Sequence, residues 1–232
     1  RRLRVEEKFG GYIHLKTIPE ASPWLIEQAG LWADRLSINL ELPTQESLRA
    51  YAPEKDTASI TNAMGQMGER IAESREEKSR HAREFAPAGQ STQVIVGADA
   101  TNDADMLATS ARLYGDYALS RVYYSAFSPI PEASSALPAK PPPLQRENRL
   151  YQADWLFRYY GFGVDEIASG GDGGMLDLEI DPKLAWALKN RDRFPVDVNI
   201  ADREALLRVP GLGVRAVDRI IAARRHTTLR LD

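Results

Sequence analysis

A short turn near the end of the chain holds the residues whose types and spacing point most directly to chemistry. Its sequence is Val-Pro-Gly-Leu-Gly (209–213), and an apolar pattern after it predicts a helix over residues 214–225. Pro210 stiffens the turn, while Gly211 and Gly213 can take backbone angles closed to other residues and leave no Cβ to block a close approach. The following helix begins with unpaired N–H groups and a partial positive charge. Together these features predict an anion site that suits a phosphate.

The segment before the turn predicts a second, shorter helix. Asn199 or Asp202 can cap this helix, which is expected to run through Leu207. The order of helix, glycine-rich turn and helix over residues 198–225 is typical of a helix-hairpin-helix motif. A small core between the two helices is expected to consist of Leu206, Leu207, Val209, Leu212, Val217, Ile220 and Ile221.

The motif predicts DNA as a partner, held by its backbone. Arg215 lies in the first turn of the second helix and can add an ion pair to a phosphate. Because phosphate contacts carry no base information, binding is expected to be independent of sequence and strongly dependent on salt. The alternative is a helical hairpin that packs only on its own protein. The predicted DNA-binding residues are Val209, Gly211, Leu212, Gly213, Val214 and Arg215.

The distribution of charge supports a localised DNA-binding region. The 232 residues carry a net charge of −3, which argues against a protein that coats nucleic acid with its whole surface. Residues 183–232 hold 11 Lys and Arg against 6 Asp and Glu, whereas the rest of the chain holds 19 against 27. A basic end on an acidic body is typical of an appended DNA-binding domain.

The residue types that bind metals are scarce. The chain has no cysteine, which excludes disulfides, thiolate zinc sites, cysteine nucleophiles and cysteine-ligated iron–sulfur clusters within it. The three histidines, His14, His81 and His226, lie far apart in the sequence. We therefore predict no metal site in this chain.

The sequence also bears on location. No apolar run approaches the roughly 18–20 residues needed to cross a bilayer, and the N-terminus RRLRVEEKFGG lacks the apolar core of a signal peptide. These patterns predict a cytoplasmic protein without a membrane partner. The chain begins at Arg1 and stops soon after a predicted helix, so we expect coding sequence to be missing from both ends.

Four short runs of β-branched, aromatic and other apolar residues predict strands, and helical patterns fill the gaps between them. This alternation predicts an α/β fold with a parallel sheet, in which the second and third strands are covered on both faces. A proline-rich connector follows at residues 129–143, and then an amphipathic helix over residues 145–160. The predicted strands are residues 11–18, 35–41, 92–98 and 122–127.

Several phrases resemble a bacterial family of DNA modification or repair radical S-adenosylmethionine (SAM) proteins that carry a helix-hairpin-helix. The resemblance implies the second half of a partial (β/α)6 radical SAM barrel, similar to a TIM barrel, over residues 1–162. A linker (163–182) and a small all-α helix-hairpin-helix domain (183–232) would follow. The phrases are HLKTIPEAS (14–22), SINLELPT (37–44), YYSAFSPIP (123–131) and RLYQADWLFRYYGF (149–162).

The resemblance also implies a site for SAM at the carboxyl ends of the strands. Asn39 and Glu41 match the positions that bind the ribose hydroxyls or the methionine amine, and Gly97 matches the glycine beside the adenine. Asp99 follows that glycine and is a further candidate. Each of these residues can equally serve structure, as a strand-end polar pair or a packing glycine. Lys16 and Tyr124 would point at the mouth or interior of the barrel.

The chain departs from the family pattern at the cluster. The family holds a [4Fe–4S] cluster with a CxxxCxxC loop, and this chain has no cysteine. The first interpretation is therefore part of a radical SAM enzyme that acts on DNA, whose parent protein binds SAM and the cluster, with a DNA-repair protein as a possible partner. The alternative is a non-catalytic DNA-binding adaptor with a degenerate barrel. An ordinary barrel enzyme ranks last, because nothing obvious pairs with Lys16.

Overall fold

The computed structural model describes residues 1–77, 83–132, 134–169 and 172–230. The chain divides into two compact units. The first unit is Arg1–Thr101 with Thr109–Pro142, and the second is Asn102–Ala108 with Pro143–Asp232. The strands are β1 (His14–Lys16), β2 (Arg35–Ser37), β3 (Gln90–Val96) and β4 (Arg121–Ala126). The helices are α1 (Arg2–Val5), α2 (Pro23–Trp32), α3 (Gln45–Tyr51), α4 (Thr57–Glu77), α5 (Asp103–Tyr117), α6 (Leu144–Tyr159), α7 (Val164–Ala168), α8 (Pro182–Lys189), α9 (Arg203–Arg208) and α10 (Val214–Ala223).

The four strands form one parallel sheet in the order β1-β2-β3-β4, which confirms the predicted α/β class and all four strands. Strand β2 is shorter than the predicted strand at residues 35–41. Its regular ladder ends at Ser37, because the hydroxyl of Thr92 accepts a hydrogen bond from the Leu40 backbone N–H at 2.9 Å. One further bridge joins Glu41 to Val94.

One face of the sheet carries the core of the first unit. Leu36, Val94, Val96 and Val122 on this face are buried, and so is Tyr124, whose hydroxyl donates to Ser110 on α5 at 2.9 Å. A stripe on α4 supplies buried partners at helical spacing, and the side chain of Gln90 donates to its backbone at Met64. The buried apolar residues of that stripe are Ile60, Ala63, Met64, Met67 and Ile71.

The opposite face of the sheet carries mostly polar side chains, of which Ser37 and Ser91 are buried while Arg35 and Ile95 are half-buried, so β2 and β3 are covered in part on this face as well. Arg35 donates to the Tyr123 hydroxyl at 3.4 Å, and His14 lies 3.4 Å from the Ser91 hydroxyl. Burial and the charges of Arg35 and Lys16 lower the pKa of His14 below its ordinary value. The alternation of strand side chains directs apolar residues to one face and these polar residues to the other.

The second unit is helical and is organised around a buried arginine. Arg208, at the end of α9, forms an ion pair with Glu166 of α7 at 3.1 Å and lies over the rings of Phe162 and Trp186. The ring of Phe162 meets that of Trp186 edge-on at 5.3 Å. Helix α7 falls within the predicted linker, of which residues 170 and 171 lie outside the described residues. The predicted boundaries at residues 162 and 182 stay a prediction. None of the described helices is long and apolar enough to cross a membrane.

Candidate functional site

Helices α9 and α10 form a hairpin joined by the turn at residues 209–213. Asp202 caps α9, because its carboxylate accepts a hydrogen bond from the Ala205 N–H at 2.7 Å. Asn199, the other predicted cap, instead exchanges two hydrogen bonds with the backbone of Leu229 at 2.8 and 3.1 Å. Of the two caps left open by the sequence, Asp202 is therefore the one used.

The two glycines of the turn differ in their backbone angles. Gly211 has a φ of +83°, a region that side chains rarely adopt, and an added Cβ there would meet no atom within 4 Å. Gly213 has a φ of −92° and a ψ of 167°, which any residue can adopt. The expectation that both glycines need special angles therefore holds for Gly211 and is wrong for Gly213. At Gly213 the missing side chain matters only for the space it leaves.

The first main-chain donors of α10 are exposed to ligands. Gly213 precedes the helix and caps it with no side-chain hydrogen bond, and the first N–H with a helical partner is that of Val217, which donates to the Gly213 carbonyl at 2.9 Å. Within the described part of the chain, the N–H groups of Val214, Arg215 and Ala216 have no acceptor. Three unpaired donors at the positive end of a ten-residue helix can donate hydrogen bonds to an anion.

Arginine side chains on α10 extend this positive surface. Arg215 and Arg219 are exposed, lie one turn apart on the helix, and have no acidic partner among the residues that the structure describes. By contrast, Arg203 on α9 is already paired with Asp218 at 3.1 Å. The charges of Arg215 and Arg219 are therefore available to a ligand without breaking an existing ion pair.

A small apolar core holds the hairpin together much as predicted. Leu206, Leu207 and Val217 are fully buried, and Leu212, Ile220 and Ile221 pack against them while partly buried. Val209, predicted as a core residue, is half-buried and lies outside this cluster. Beyond the predicted set, the cluster includes Tyr160, Val196, Val198, Ala201 and Val214.

Lys183 fixes the turn from outside the hairpin. Its ammonium donates to the carbonyl of Leu212 at 2.6 Å and lies 4.8 Å from the centre of the Tyr160 ring. The residue is 7% exposed, and this burial lowers its pKa to about 8, against the smaller opposing effect of Asp181. Sequence reasoning did not single out Lys183, since it lies 29 residues from its partner.

In the first unit, a cavity of about 310 Å³ lies beyond the carboxyl ends of β1 and β2, and we name it the strand-end cavity. The resemblance placed Asn39 and Glu41 at such a site, and both line it. The amide of Asn39 donates to the carboxylate of Glu41 at 3.2 Å, and the ammonium of Lys55 donates to the same oxygen at 3.0 Å. The full lining is Lys16, Thr17, Ile18, Pro19, Glu20, Ile38, Asn39, Glu41, Glu54, Lys55, Asp56 and Ile60.

The backbone around Glu41 is strained and firmly held. Its φ is +68°, a value that costs a non-glycine residue about 1–3 kcal/mol. Two hydrogen bonds to β3 hold it there: its N–H donates to the Gln93 carbonyl at 3.0 Å, and its carbonyl accepts from the Ile95 N–H at 2.7 Å. At the cavity rim, hydrogen bonds from the backbone N–H and hydroxyl of Ser59 lower the pKa of Asp56.

The other two residues of the predicted cofactor site do not line this cavity. Gly97 has a φ of +77°, and the ring of Pro142 occupies the space that a Cβ would need, with its own Cβ 2.8 Å away. One oxygen of Asp99 accepts from the Thr101 N–H at 3.0 Å, and the other is buried with no hydrogen-bond partner among the described residues. The structure thus places Asn39, Glu41 and Lys16 in the lining of one cavity, whereas Gly97 and Asp99 are not among its lining residues.

Comparison of the chain with protein-family models, curated proteins and solved structures finds no match. The described residues contain no group of three or more His, Cys, Asp or Glu side chains that could hold a metal ion. The sequence has no cysteine, so a [4Fe–4S] cluster finds no thiolate ligand in this chain. Function must therefore be inferred from the two sites themselves.

Proposed function

We propose that this chain binds double-stranded DNA by its phosphate backbone, without reading its sequence, through the α9–α10 hairpin. The observation that carries the proposal is the set of three unpaired N–H groups on Val214, Arg215 and Ala216. A phosphate at this point would accept hydrogen bonds from the main chain and an ion pair from Arg215. Because these contacts reach only the backbone of DNA, they position the protein but carry no base information.

The turn makes this approach possible. Gly211 supplies the backbone angle that reverses the chain, and Gly213 leaves the start of α10 uncovered. Lys183 holds the turn by donating to the carbonyl of Leu212. This positive charge offsets the repulsion that the carbonyl oxygen would exert on a phosphate at the turn. The positive balance of residues 183–232 would draw the DNA towards this region.

The experiment is a fluorescence-anisotropy titration of a labelled duplex with wild-type protein and with Gly213→Val. Valine tolerates the backbone angles of Gly213, and its Cβ would lie 3.5 Å from the Tyr160 hydroxyl, an ordinary contact distance. The hairpin should therefore fold while the added side chain blocks the phosphate. We expect affinity to fall roughly tenfold or more, because a hydrogen bond to a charged group is worth about 1.5–3 kcal/mol.

The matched control is Gly115→Val, which places the same side chain on an exposed position of α5 where it meets no atom within 4 Å. This control should bind the duplex like the wild type. Equal affinity of Gly213→Val and Gly115→Val for the duplex would refute the hairpin as the DNA-binding site.

The resemblance to DNA-modifying radical SAM proteins motivates a second proposal, for the first unit. In it, the strand-end cavity forms part of a SAM site, and the four in-order parallel strands form part of a radical SAM barrel. The observation in its favour is that Asn39 and Glu41 face one cavity at the carboxyl ends of the strands. The carboxylate of Glu41 would accept hydrogen bonds from a ribose or from an ammonium, as it already does from Lys55.

The residues present fit only part of that cofactor set. Pro142 covers Gly97, so the adenine role of this glycine gains no support, and without cysteine the chain cannot hold the cluster by thiolates. We therefore derive no radical step from this chain. The alternative is a DNA-binding adaptor whose barrel has no chemistry.

Two measurements separate the enzyme from the adaptor. The first is to determine whether the coding sequence upstream of Arg1 contains CxxxCxxC. The second is a thermal-shift titration with SAM, in which Glu41→Gln should abolish any stabilisation seen for the wild type. A missing cysteine motif together with no thermal shift would leave the adaptor.

A further inference from the structure

A second concave surface lies within the helical unit, and hairpin binding does not account for it. Helix α6 and the start of α8 border an open groove of about 480 Å³, which we name the aromatic groove. This volume lies in the range typical of small-ligand pockets. Its lining residues are Tyr151, Gln152, Trp155, Leu156, Tyr160, Asp181, Pro182 and Lys183.

Two residues of the groove also touch the turn of the hairpin. Lys183 donates to the Leu212 carbonyl at 2.6 Å. The hydroxyl of Tyr160 lies 3.5 Å from the point where a Cβ on Gly213 would stand. The aromatic groove and the start of α10 therefore share Lys183 and Tyr160, so a nucleotide whose phosphate lies on the turn would have its base beside the groove.

The side chains in the groove suit a nucleobase. Trp155 is 49% exposed and offers a flat ring for stacking, supported by Tyr159 one turn along at 4.4 Å between ring centres. The amide oxygen of Gln152 accepts a hydrogen bond from Arg149 at 2.8 Å, and its NH2 group is a further donor on this side chain. The ammonium of Lys183 has further N–H bonds beyond the one given to Leu212.

We propose that the aromatic groove takes an unstacked base of the same DNA strand whose phosphate lies at the start of α10, with Trp155 as the stacking surface. The proposal rests on the proposed backbone binding and deepens it, because it assigns a preferred substrate: DNA with an unpaired base next to a duplex. Stacking on an aromatic ring tolerates any base, which agrees with binding that does not read sequence. The excess of 11 Lys and Arg over 6 Asp and Glu in residues 183–232 favours a nucleic acid as the occupant.

The test compares three labelled probes in anisotropy titrations. They are a blunt duplex, the same duplex with a short thymidine overhang, and the same duplex with an abasic overhang of equal length. The two overhangs carry the same phosphates, so only stacking distinguishes them. We expect the wild type to bind the thymidine overhang about 5–150-fold more tightly than the abasic one, the range for one base stacked on an aromatic side chain.

Variants of Trp155 locate the effect. Trp155→Ala should bind both overhangs equally and the blunt duplex as the wild type does, while Trp155→Phe, which keeps a ring, should retain most of the preference. Trp24→Ala is the matched control, since Trp24 is 68% exposed and lies on α2 in the first unit. Thermal unfolding of each variant checks that the chain still folds.

The outcomes separate the two proposals. If the wild type binds both overhangs alike but still binds the blunt duplex, the base pocket is wrong and the hairpin proposal stands. A preference that survives in Trp155→Ala likewise overturns the groove as the base site. If no probe binds, both proposals fail together.

Discussion

The hairpin and the strand-end cavity treat their polar groups in opposite ways. At the start of α10, the described structure leaves three main-chain donors unpaired, and Arg215 beside them has no acidic partner. In the cavity, the carboxylate of Glu41 is already bonded to Asn39 and to the ammonium of Lys55. One region presents unpaired donors, whereas the other pairs the charge of Glu41 with that of Lys55.

This difference sets what each region can bind without rearrangement. A phosphate can join the α10 donors directly, because no contact has to be broken first. A ligand of the cavity must replace Lys55 at Glu41 or bind around the existing pair, so it has to supply hydrogen bonds that offset the loss. On the proposed functions, the hairpin therefore suits an anion, and the cavity suits a ligand that carries its own donors.

The largest expected effect comes from removing the free charges of the hairpin. In Arg215→Ala/Arg219→Ala, we expect duplex affinity to fall by roughly 100-fold at low salt. The slope of log affinity against log salt should become shallower by about 1.8, because each phosphate contact contributes about −0.9. Anisotropy titrations across salt concentrations measure both quantities. Arg49→Ala, an exposed arginine on α3, is the control, and an unchanged slope in the double variant would contradict the proposed contacts.

The two glycines of the turn give the next largest effect, and they separate folding from binding. Gly211→Val forces a side chain into a φ of +83°, which should lower the free energy of unfolding by about 1–3 kcal/mol. Gly213→Val should change it far less, since its angles are ordinary, yet should weaken DNA binding. Urea unfolding followed by circular dichroism measures the first effect. Equal destabilisation by the two variants would show that the turn does not distinguish them.

Local patterns made the strands and the hairpin predictable from sequence. The strand signals of residues 35–41 lie within that one short run, and so do those of residues 92–98. The turn at 209–213 is contiguous with both helices that it joins. The strand-end pair of Asn39 and Glu41 also came from a local phrase, and both residues do line one cavity.

Long-range partners were beyond sequence reasoning. Lys183 meets Leu212 from 29 residues away, and Asn39 lies 3.5 Å from the amide oxygen of Gln93, which is 54 residues further on. Pro142, which covers Gly97, comes after β4 in the chain, whereas Gly97 comes before it. No spacing rule relates such pairs, because the fold brings them together only after the sheet and helices have packed. The same limit explains why a capping choice such as Asn199 or Asp202 stayed open.

A smaller effect is expected from pH, through Lys183. Its pKa is lowered from 10.5 to about 8 by burial, so the folded chain releases this proton near pH 8 while the unfolded chain keeps it until about pH 10.5. Unfolding in that window takes up a proton, and a rise from pH 7 to 9 should therefore stabilise the folded chain by about 1 kcal/mol. Over the same range duplex affinity should fall roughly threefold, because one positive charge beside the turn is lost and a nearby charge pair in water is worth at most about 1 kcal/mol.

The variant Lys183→Met isolates this residue. Urea unfolding and duplex titrations at pH 7 and 9 should show greater stability and weaker duplex affinity at pH 9 in the wild type. In the variant these two changes should be smaller by the contribution of Lys183. If stability and affinity in the wild type track those of Lys183→Met at both pH values, Lys183 does not titrate in this range.

The smallest effect tests whether the strand-end cavity is separate in function from the hairpin. Lys55→Met removes the ammonium from Glu41, and the free energy of unfolding should fall by only about 0.5–1 kcal/mol, because the two side chains keep 37% and 21% of their surface in water. Urea unfolding measures this loss against Lys140→Met, an exposed lysine without an ion pair in the described structure. Duplex affinity should stay unchanged in both variants. A loss of DNA binding in Lys55→Met as large as in the double arginine variant would mean that the cavity, too, binds phosphate, and that internal pairing does not close a site to DNA.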